Sequence, residues 1–132
     1  MRCSTLLVLC GLVLSGLVAG ACGKSASSAT DDGYARALAG LCLARDQAAR
    51  EPNRVRTTFF DRSHDTLHAL ARALAEVDRT RAARLLEAKN VVEVEVRSGP
   101  PPSSLPTDLD RLITATRAAL TRLDQPAPGC AS

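Results

Sequence analysis

The feature that most constrains the fold is a long apolar stripe between Arg54 and Val77. Its apolar side chains recur at helical spacing, and no glycine or proline interrupts them: Phe60, Leu67, Leu70, Ala71, Leu74 and Val77. This spacing places them on one face of an α-helix, and that face must be buried against other elements. The sequence therefore predicts a helix that starts at Pro52 to Arg54 and ends near Val77.

Three further segments show the same periodicity. The first follows a capping residue, Asp31 or Asp32, and ends at Pro52, because the residue before a proline is pushed out of the helical region. The second follows Asp78, which can cap it, and the third has Pro106 in its first turn. Their predicted buried positions are, in order, Tyr34, Leu38, Leu41, Cys42 and Ala48 or Ala49; Ala82, Leu85, Leu86, Val92 and Val96; and Leu109, Leu112, Ile113, Thr116, Leu120 and Leu123.

One segment also fits a β-strand. Residues 91–96 alternate valine with a charged residue over much of their length, and β-branched residues favour strands. A lone strand would leave its backbone hydrogen-bonding groups unpaired, and no second strand candidate exists. We therefore predict a helix here.

Four amphipathic helices with short connections predict an all-α fold, an antiparallel four-helix bundle over residues 32–132. The longest connection, Ser98 to Ser104, contains Gly99 and three consecutive prolines and cannot be helical.

The N-terminus has a different character. Met1-Arg2 is followed by an apolar run from Thr5 to Val18, and Leu17-Val-Ala-Gly-Ala-Cys22 closes the run with small residues and a cysteine. The run is too short to span a membrane comfortably, because a spanning helix needs roughly 20 apolar residues. These residues resemble the signal peptide and lipobox of bacterial lipoproteins. The resemblance implies cleavage before Cys22, a diacylglycerol group on its thiol, and a lipid-anchored protein at the extracytoplasmic face of the cell membrane.

Two alternatives to this processing stay open. The family prefers leucine at the position of Ala19, and Ala19-Gly-Ala21 also fits the cleavage site of ordinary signal peptidase. An uncleaved signal anchor is the other alternative. The lipoprotein interpretation divides the chain into a signal peptide (1–21), a lipidated cysteine with a flexible tether (22–31) and the helical domain (32–132). The helical make-up also resembles small uncharacterised actinobacterial lipoproteins, and this resemblance implies no activity.

The cysteine count favours lipidation. Cys3 and Cys10 leave with the signal peptide, and three cysteines would remain in an exported protein. An odd number leaves one thiol without a disulfide partner, which is unfavourable outside the cytoplasm unless that thiol is modified. If Cys22 is acylated, as the lipobox implies, Cys42 and Cys130 are left, and an extracytoplasmic location favours a disulfide between them. The alternative is two free thiols, with Cys42 buried and Cys130 exposed.

A candidate metal site lies in the second helix. On an ideal α-helix Asp61, His64, Asp65 and His68 fall within one arc at the flank of the apolar stripe. Two histidines four residues apart can hold one divalent ion, and such donors suit Zn²⁺, Cu²⁺ or Ni²⁺ better than Ca²⁺ or Mg²⁺. Alternatively, the histidines pair with the neighbouring aspartates or face water. Arg72, one turn after His68, disfavours a cation.

Other chemistry finds little support. The formal net charge is only +3 and aromatic residues make up 2% of the chain, which predicts no nucleic-acid surface. No phosphate-binding loop, nucleophile elbow or zinc-protease motif occurs, so the sequence does not predict an enzyme or a resident cofactor. The arginines of residues 79–84 fit a solvated helix face, or contact with an acidic partner or lipid headgroups.

Two functions follow from these observations. The first is a membrane-anchored helical module that binds or scaffolds an unidentified partner in the cell envelope, with Cys22 holding it to the lipid bilayer. The alternative is a lipoprotein that binds or senses a divalent metal through Asp61, His64, Asp65 and His68.

Overall fold

Four helices packed together make up the fold. The computed structural model describes residues 25–131, and every regular element in that range is helical. The elements are α1 (Ser25–Arg50), α2 (Pro52–Phe59), a π-helical turn (Phe60–His64), α3 (Asp65–Ala75), α4 (Arg79–Arg97) and α5 (Leu105–Arg122). Because α2, the π-helical turn and α3 follow one another without a break, they form a single long helix. The prediction of an all-α fold is confirmed, and residues 91–96 are helical.

The core is built almost entirely from leucine, alanine and valine. Most of the positions that the apolar spacing predicts are buried, and Leu41, Leu67, Leu85 and Leu112 are among the fully buried side chains. Side chains without aromatic bulk let helices approach closely. Gly40 is the clearest case, because a Cβ atom there would lie 2.6 Å from the Ser63 Oγ atom and 2.7 Å from the Arg62 Cβ atom.

Two buried hydrogen bonds join α1 to the long second helix. The Thr58 hydroxyl donates to the Gln47 side chain at 2.7 Å, and the Ser63 hydroxyl donates to the Ala37 carbonyl at 2.9 Å. Both polar pairs are satisfied inside the core, which avoids the cost of burying an unpaired polar group. They also bring the π-helical turn against the middle of α1.

The start of α1 differs from the prediction. The helix begins at Ser25, inside the segment predicted as a tether (22–31), and it passes through Asp31 and Asp32 instead of starting at them. No proline or glycine lies between Ser25 and Asp32, and serine and alanine can continue a helix. The signal peptide (1–21) and Cys22 lie outside the described residues.

Two core positions predicted in the second helix, Phe60 and Val77, are wrong. Phe59, which was not assigned to the stripe, is fully buried, whereas Phe60 is only half-buried. Val77 is 50% exposed, because α3 ends at Ala75 and the chain turns before it reaches Val77. A π-helical turn contains more residues than an α-helical turn, so each residue rotates the chain through a smaller angle about the helix axis. The buried face predicted from an unbroken α-helix therefore shifts at Phe60.

Short polar connections join the last three helices. The Asp78 carboxylate caps α4 by accepting from the Arg81 backbone N–H at 2.9 Å, as predicted. After α4, Gly99 adopts φ 114°, a conformation that favours glycine and turns the chain into the proline-rich segment. The helix α5 ends in a turn in which the Gln125 N–H donates to the Leu120 carbonyl at 2.9 Å.

The C-terminal tail returns to α1. A disulfide joins Cys42 to Cys130, with their Cα atoms 5.5 Å apart, as predicted. The tail residues Pro128 and Gly129 lie beside Leu38 and Cys42 of α1, and Ala127 packs against the core. The tail therefore covers part of the apolar face of α1. None of the helices described is long and apolar enough to cross a membrane.

Candidate metal centre

The two histidines face a glutamate of another helix. His64 ends the π-helical turn and His68 lies one turn later in α3, with ring centroids 4.8 Å apart. Glu93 approaches them from α4. The candidate ligand atoms of His64, His68 and Glu93 all lie within 4.8 Å of one another.

His64 is held in one orientation from both sides. Its Nδ1 atom hydrogen-bonds the Asp65 carboxylate at 2.9 Å, and its ring packs against Phe59 and Phe60 at centroid distances of 5.9 Å and 5.0 Å. When Nδ1 carries the proton, Nε2 keeps its lone pair. A carboxylate on the outer nitrogen is the common arrangement of a metal-binding histidine, because it fixes the tautomer and the ring.

The Nε2 atom of His64 has no hydrogen-bond partner. It lies 3.3 Å from the Glu93 Oε2 atom, which is within ion-pair range, but the angles do not make a hydrogen bond and the nitrogen is buried. Buried polar atoms in proteins are almost always paired with protein, water or an ion. Since Nδ1 is bonded to Asp65, Nε2 is the ring atom left available to a ligand in the space that it shares with Glu93.

His68 is suited to the same role. Burial lowers the pKa of the His68 imidazole, and the nearby Lys89 and His64 lower it further. The neutral imidazole, which is the form that binds metals, is thus favoured near neutral pH.

Two cations already hold the Glu93 carboxylate. The Lys89 ammonium donates to the Glu93 Oε2 atom, and the Arg97 guanidinium lies 2.7 Å from Oε1 while it covers the Phe60 ring at 5.0 Å. The Lys89 hydrogen bond lowers the pKa of Glu93, against the opposing effect of burial. Lys89 is only 1% exposed, so its ammonium is a buried cation directly beside the candidate ligands.

Two of the four predicted ligands, Asp61 and Asp65, lie outside this cluster, and Glu93 belongs to it. Asp65 is 98% exposed at its side chain and contacts the outer nitrogen of His64, so it orients a ligand and does not face the cluster. Asp61 is exposed and lies beside Gly33 and Arg36 of α1. The π-helical turn separates Asp61 from the histidines, because the predicted common arc assumed an unbroken α-helix. Glu93 was not predicted as a ligand, because the spacing of residues within one helix does not show which residue of another helix packs against it.

The arrangement offers two imidazole nitrogens and one carboxylate from two helices. Ligands at 2.0–2.1 Å from a tetrahedral zinc ion are roughly 3.4 Å apart. The His64 Nε2 and Glu93 Oε2 atoms already lie 3.3 Å apart, and the longest separation, at most 4.8 Å, would have to shorten by up to about 1.4 Å. Such a donor set suits Zn²⁺, Cu²⁺ and Ni²⁺. No family model, curated protein or solved structure matches this chain.

Proposed function

We propose that this protein is a lipid-anchored extracytoplasmic domain that binds a divalent transition metal between α3 and α4, with His64, His68 and Glu93 as ligands. The observation that carries the metal function is the buried, unpaired Nε2 atom of His64 facing Glu93. Asp65 holds the His64 ring through its outer nitrogen. The metal takes the position beside the Glu93 carboxylate that the Lys89 ammonium occupies in the structure. Metal binding thus requires Lys89 to move.

The anchor has separate support. The Cys42–Cys130 disulfide suits an oxidising compartment outside the cytoplasm, and it leaves Cys22 as the cysteine available for acylation in a chain cleaved at residue 21. The helix α1 begins three residues after Cys22, so the domain would sit directly at the membrane surface. In the expressing bacterium, Cys22→Ala should move the protein to the soluble fraction or stall the precursor. An intact mass showing an unmodified Cys22 would contradict the lipid anchor.

An antiparallel order of the helices belongs to this proposal. The pairs Gln47–Thr58 and Ala37–Ser63 run in opposite directions along α1 and the long second helix. At the other side of the bundle, Ser104 at the start of α5 contacts Glu95 near the end of α4. The Arg122 guanidinium at the end of α5 lies 3.9 Å from Asp78 at the start of α4. These contacts support an up-down-up-down bundle.

Zinc titration tests the metal function. The experiment uses the mature chain from residue 22 with Cys22→Ser, which keeps every residue that the structure describes. His64→Gln, His68→Gln and Glu93→Gln should each weaken Zn²⁺ binding by about 10- to 100-fold, as loss of a ligand or its support does elsewhere. The two histidine ring signals in NMR should shift together on addition of Zn²⁺.

Asp61→Asn is the matched control. It removes a carboxylate of the same helix that the sequence predicted as a ligand but that lies away from the cluster, so Zn²⁺ affinity should not change. A loss of affinity in Asp61→Asn with none in Glu93→Gln would favour the ligand set predicted from the sequence. A Zn²⁺ affinity equal to that of the native chain in all four variants would reject the metal site.

A further inference from the structure

Two carboxyl groups lie side by side where α4 meets α5. The Glu95 Oε1 atom, near the end of α4, accepts a hydrogen bond from the Ser104 hydroxyl at 2.5 Å. Asp108, in the first turn of α5, lies beside Glu95 and is only 7% exposed. These three residues join the two sides of the proline-rich connection. They are separate from the candidate metal centre, because Glu93, two residues before Glu95, lies on nearly the opposite side of α4.

The positive charge at this junction serves Asp108 more than Glu95. The Arg111 guanidinium lies 2.6 Å from the Asp108 Oδ1 atom. The first turn of a helix also favours a negative charge, since its free backbone N–H groups carry partial positive charge. Asp108 and Arg111 are the charged groups that act on Glu95, and Asp108 opposes a charge on Glu95 more strongly than Arg111 favours it.

The second carboxyl oxygen of Glu95 has no partner. Its Oε2 atom is buried and forms no hydrogen bond, and an unpaired buried carboxylate oxygen beside another carboxylate is costly. A proton on Oε2 removes both the charge and the missing partner, because a neutral carboxyl can donate its O–H to Asp108. Burial raises the pKa of the Glu95 carboxyl, and Asp108 raises it further against the opposing hydrogen bond from Ser104.

We propose that Glu95 and Asp108 form a pH-sensitive clasp at the connection between α4 and α5, closed when they share one proton and open when both are ionised. In the closed state the Glu95 O–H donates to the Asp108 carboxylate while Oε1 accepts from Ser104. Loss of the proton leaves two neighbouring negative charges that repel each other. The half-buried Glu95 side chain then turns to solvent and releases Ser104, which loosens the start of α5.

The clasp makes the stability of the fold fall as the pH rises. Because the folded chain binds the Glu95 proton more tightly than the unfolded chain, it keeps a proton that the unfolded chain has released. The equilibrium constant for unfolding therefore rises with pH, by at most about tenfold per pH unit, between the ordinary glutamate value of 4.5 and the raised folded value.

Glu95→Gln tests the clasp, because the glutamine amide can donate to Asp108 and accept from Ser104 as the protonated carboxyl does. In the mature chain from residue 22 with Cys22→Ser, this change should raise the urea midpoint at about pH 8, and the gain should disappear below pH 4.5. Glu87→Gln is the matched control, since Glu87 is an exposed glutamate of the same helix, and its midpoint should follow that of the native chain at each pH. A midpoint in Glu95→Gln that equals the native one at every pH, or is lower at pH 8, would overturn the proposal.

Carboxyl NMR signals test the same pair without changing Glu95. The Glu95 carboxyl should titrate above pH 4.5, and the backbone amide signals of Ser104 and Asp108 should shift with the same midpoint. Asp108→Asn should move the Glu95 midpoint towards 4.5. A Glu95 midpoint at or below 4.5 in the native chain would overturn the shared proton. Ca²⁺ that stabilises the native chain at pH 8 but not Glu95→Gln would assign the pair to a bound cation instead.

Discussion

The His64 Nε2 atom and the Glu93 Oε2 atom lie 3.3 Å apart, although they belong to different helices. The Lys89 ammonium binds the same oxygen of Glu93 from within the core. Under the proposed metal function, a metal ion held by His64 and the ammonium of Lys89 would both be positive partners for this one carboxylate. The proposal therefore predicts that the two compete, and this competition can be measured.

Replacing the lysine should strengthen metal binding. Lys89→Met keeps much of the side-chain volume but removes the buried positive charge, which repels a divalent ion at short range. The affinity for Zn²⁺ should rise at least about tenfold, measured by competition with a chromophoric chelator. Arg111→Met removes a cation that pairs with Asp108 on another part of the surface, and it should leave the affinity unchanged. Unchanged or weaker binding in Lys89→Met would contradict competition.

Gly40 should tolerate no larger side chain. Gly40→Ala would place a Cβ atom 2.6 Å from the Ser63 hydroxyl oxygen, so α1 and the π-helical turn would have to separate. The free energy of unfolding should fall by about 1–3 kcal/mol in urea denaturation. Gly33→Ala is the control in the same helix, because a Cβ atom there has nothing within 4 Å. It should raise stability by up to about 1 kcal/mol through helix propensity. A stabilising Gly40→Ala would show that the two helices are not in close contact.

The disulfide should contribute a large part of the stability. Cys42 and Cys130 are 88 residues apart in sequence, and closing a loop of this length is worth about 4.6 kcal/mol in the chain-entropy model. A reducing agent should lower the melting temperature of the native chain. The double variant Cys42→Ser, Cys130→Ser should melt at a low temperature with and without the agent. Free thiols titrating in the air-exposed native protein would contradict the bridge.

Asp78 should make stability depend on acid pH. The backbone N–H of Arg81 and its side chain lower the pKa of the Asp78 carboxyl below the value of 3.8 for an isolated group. The folded state thus binds this proton less readily than the unfolded state. The stabilisation is present above the unfolded pKa and is lost as the pH falls through the lower folded pKa.

Asp78→Asn tests this dependence, because asparagine can still cap the helix but does not titrate. The variant should unfold at lower urea concentration than the native chain near neutral pH, and the difference should shrink as the pH falls below 3.8. A difference that persists unchanged in acid would show that the Asp78 charge does not stabilise α4.

The helices could be predicted from the sequence, and the site only in part. Local spacing predicts the buried faces around Leu67 and Leu112, because an α-helix repeats the same angle at each residue. That regularity fails at the π-helical turn, where it led to the assignment of Phe60 instead of Phe59 to the core. Glu93 depends on how two helices pack, which no spacing within one helix encodes. A valine-rich segment containing two glutamates was the only sequence signal there.

The Cys42–Cys130 bond also changes the covalent topology of the chain. The residues between the two cysteines form a closed ring, and the proline-rich connection between α4 and α5 is part of that ring. A single protease cut in this connection opens the ring without releasing a fragment, because both new ends remain joined through the disulfide. If Cys22 carries lipid, the clipped protein keeps all four helices at the membrane until the disulfide is reduced.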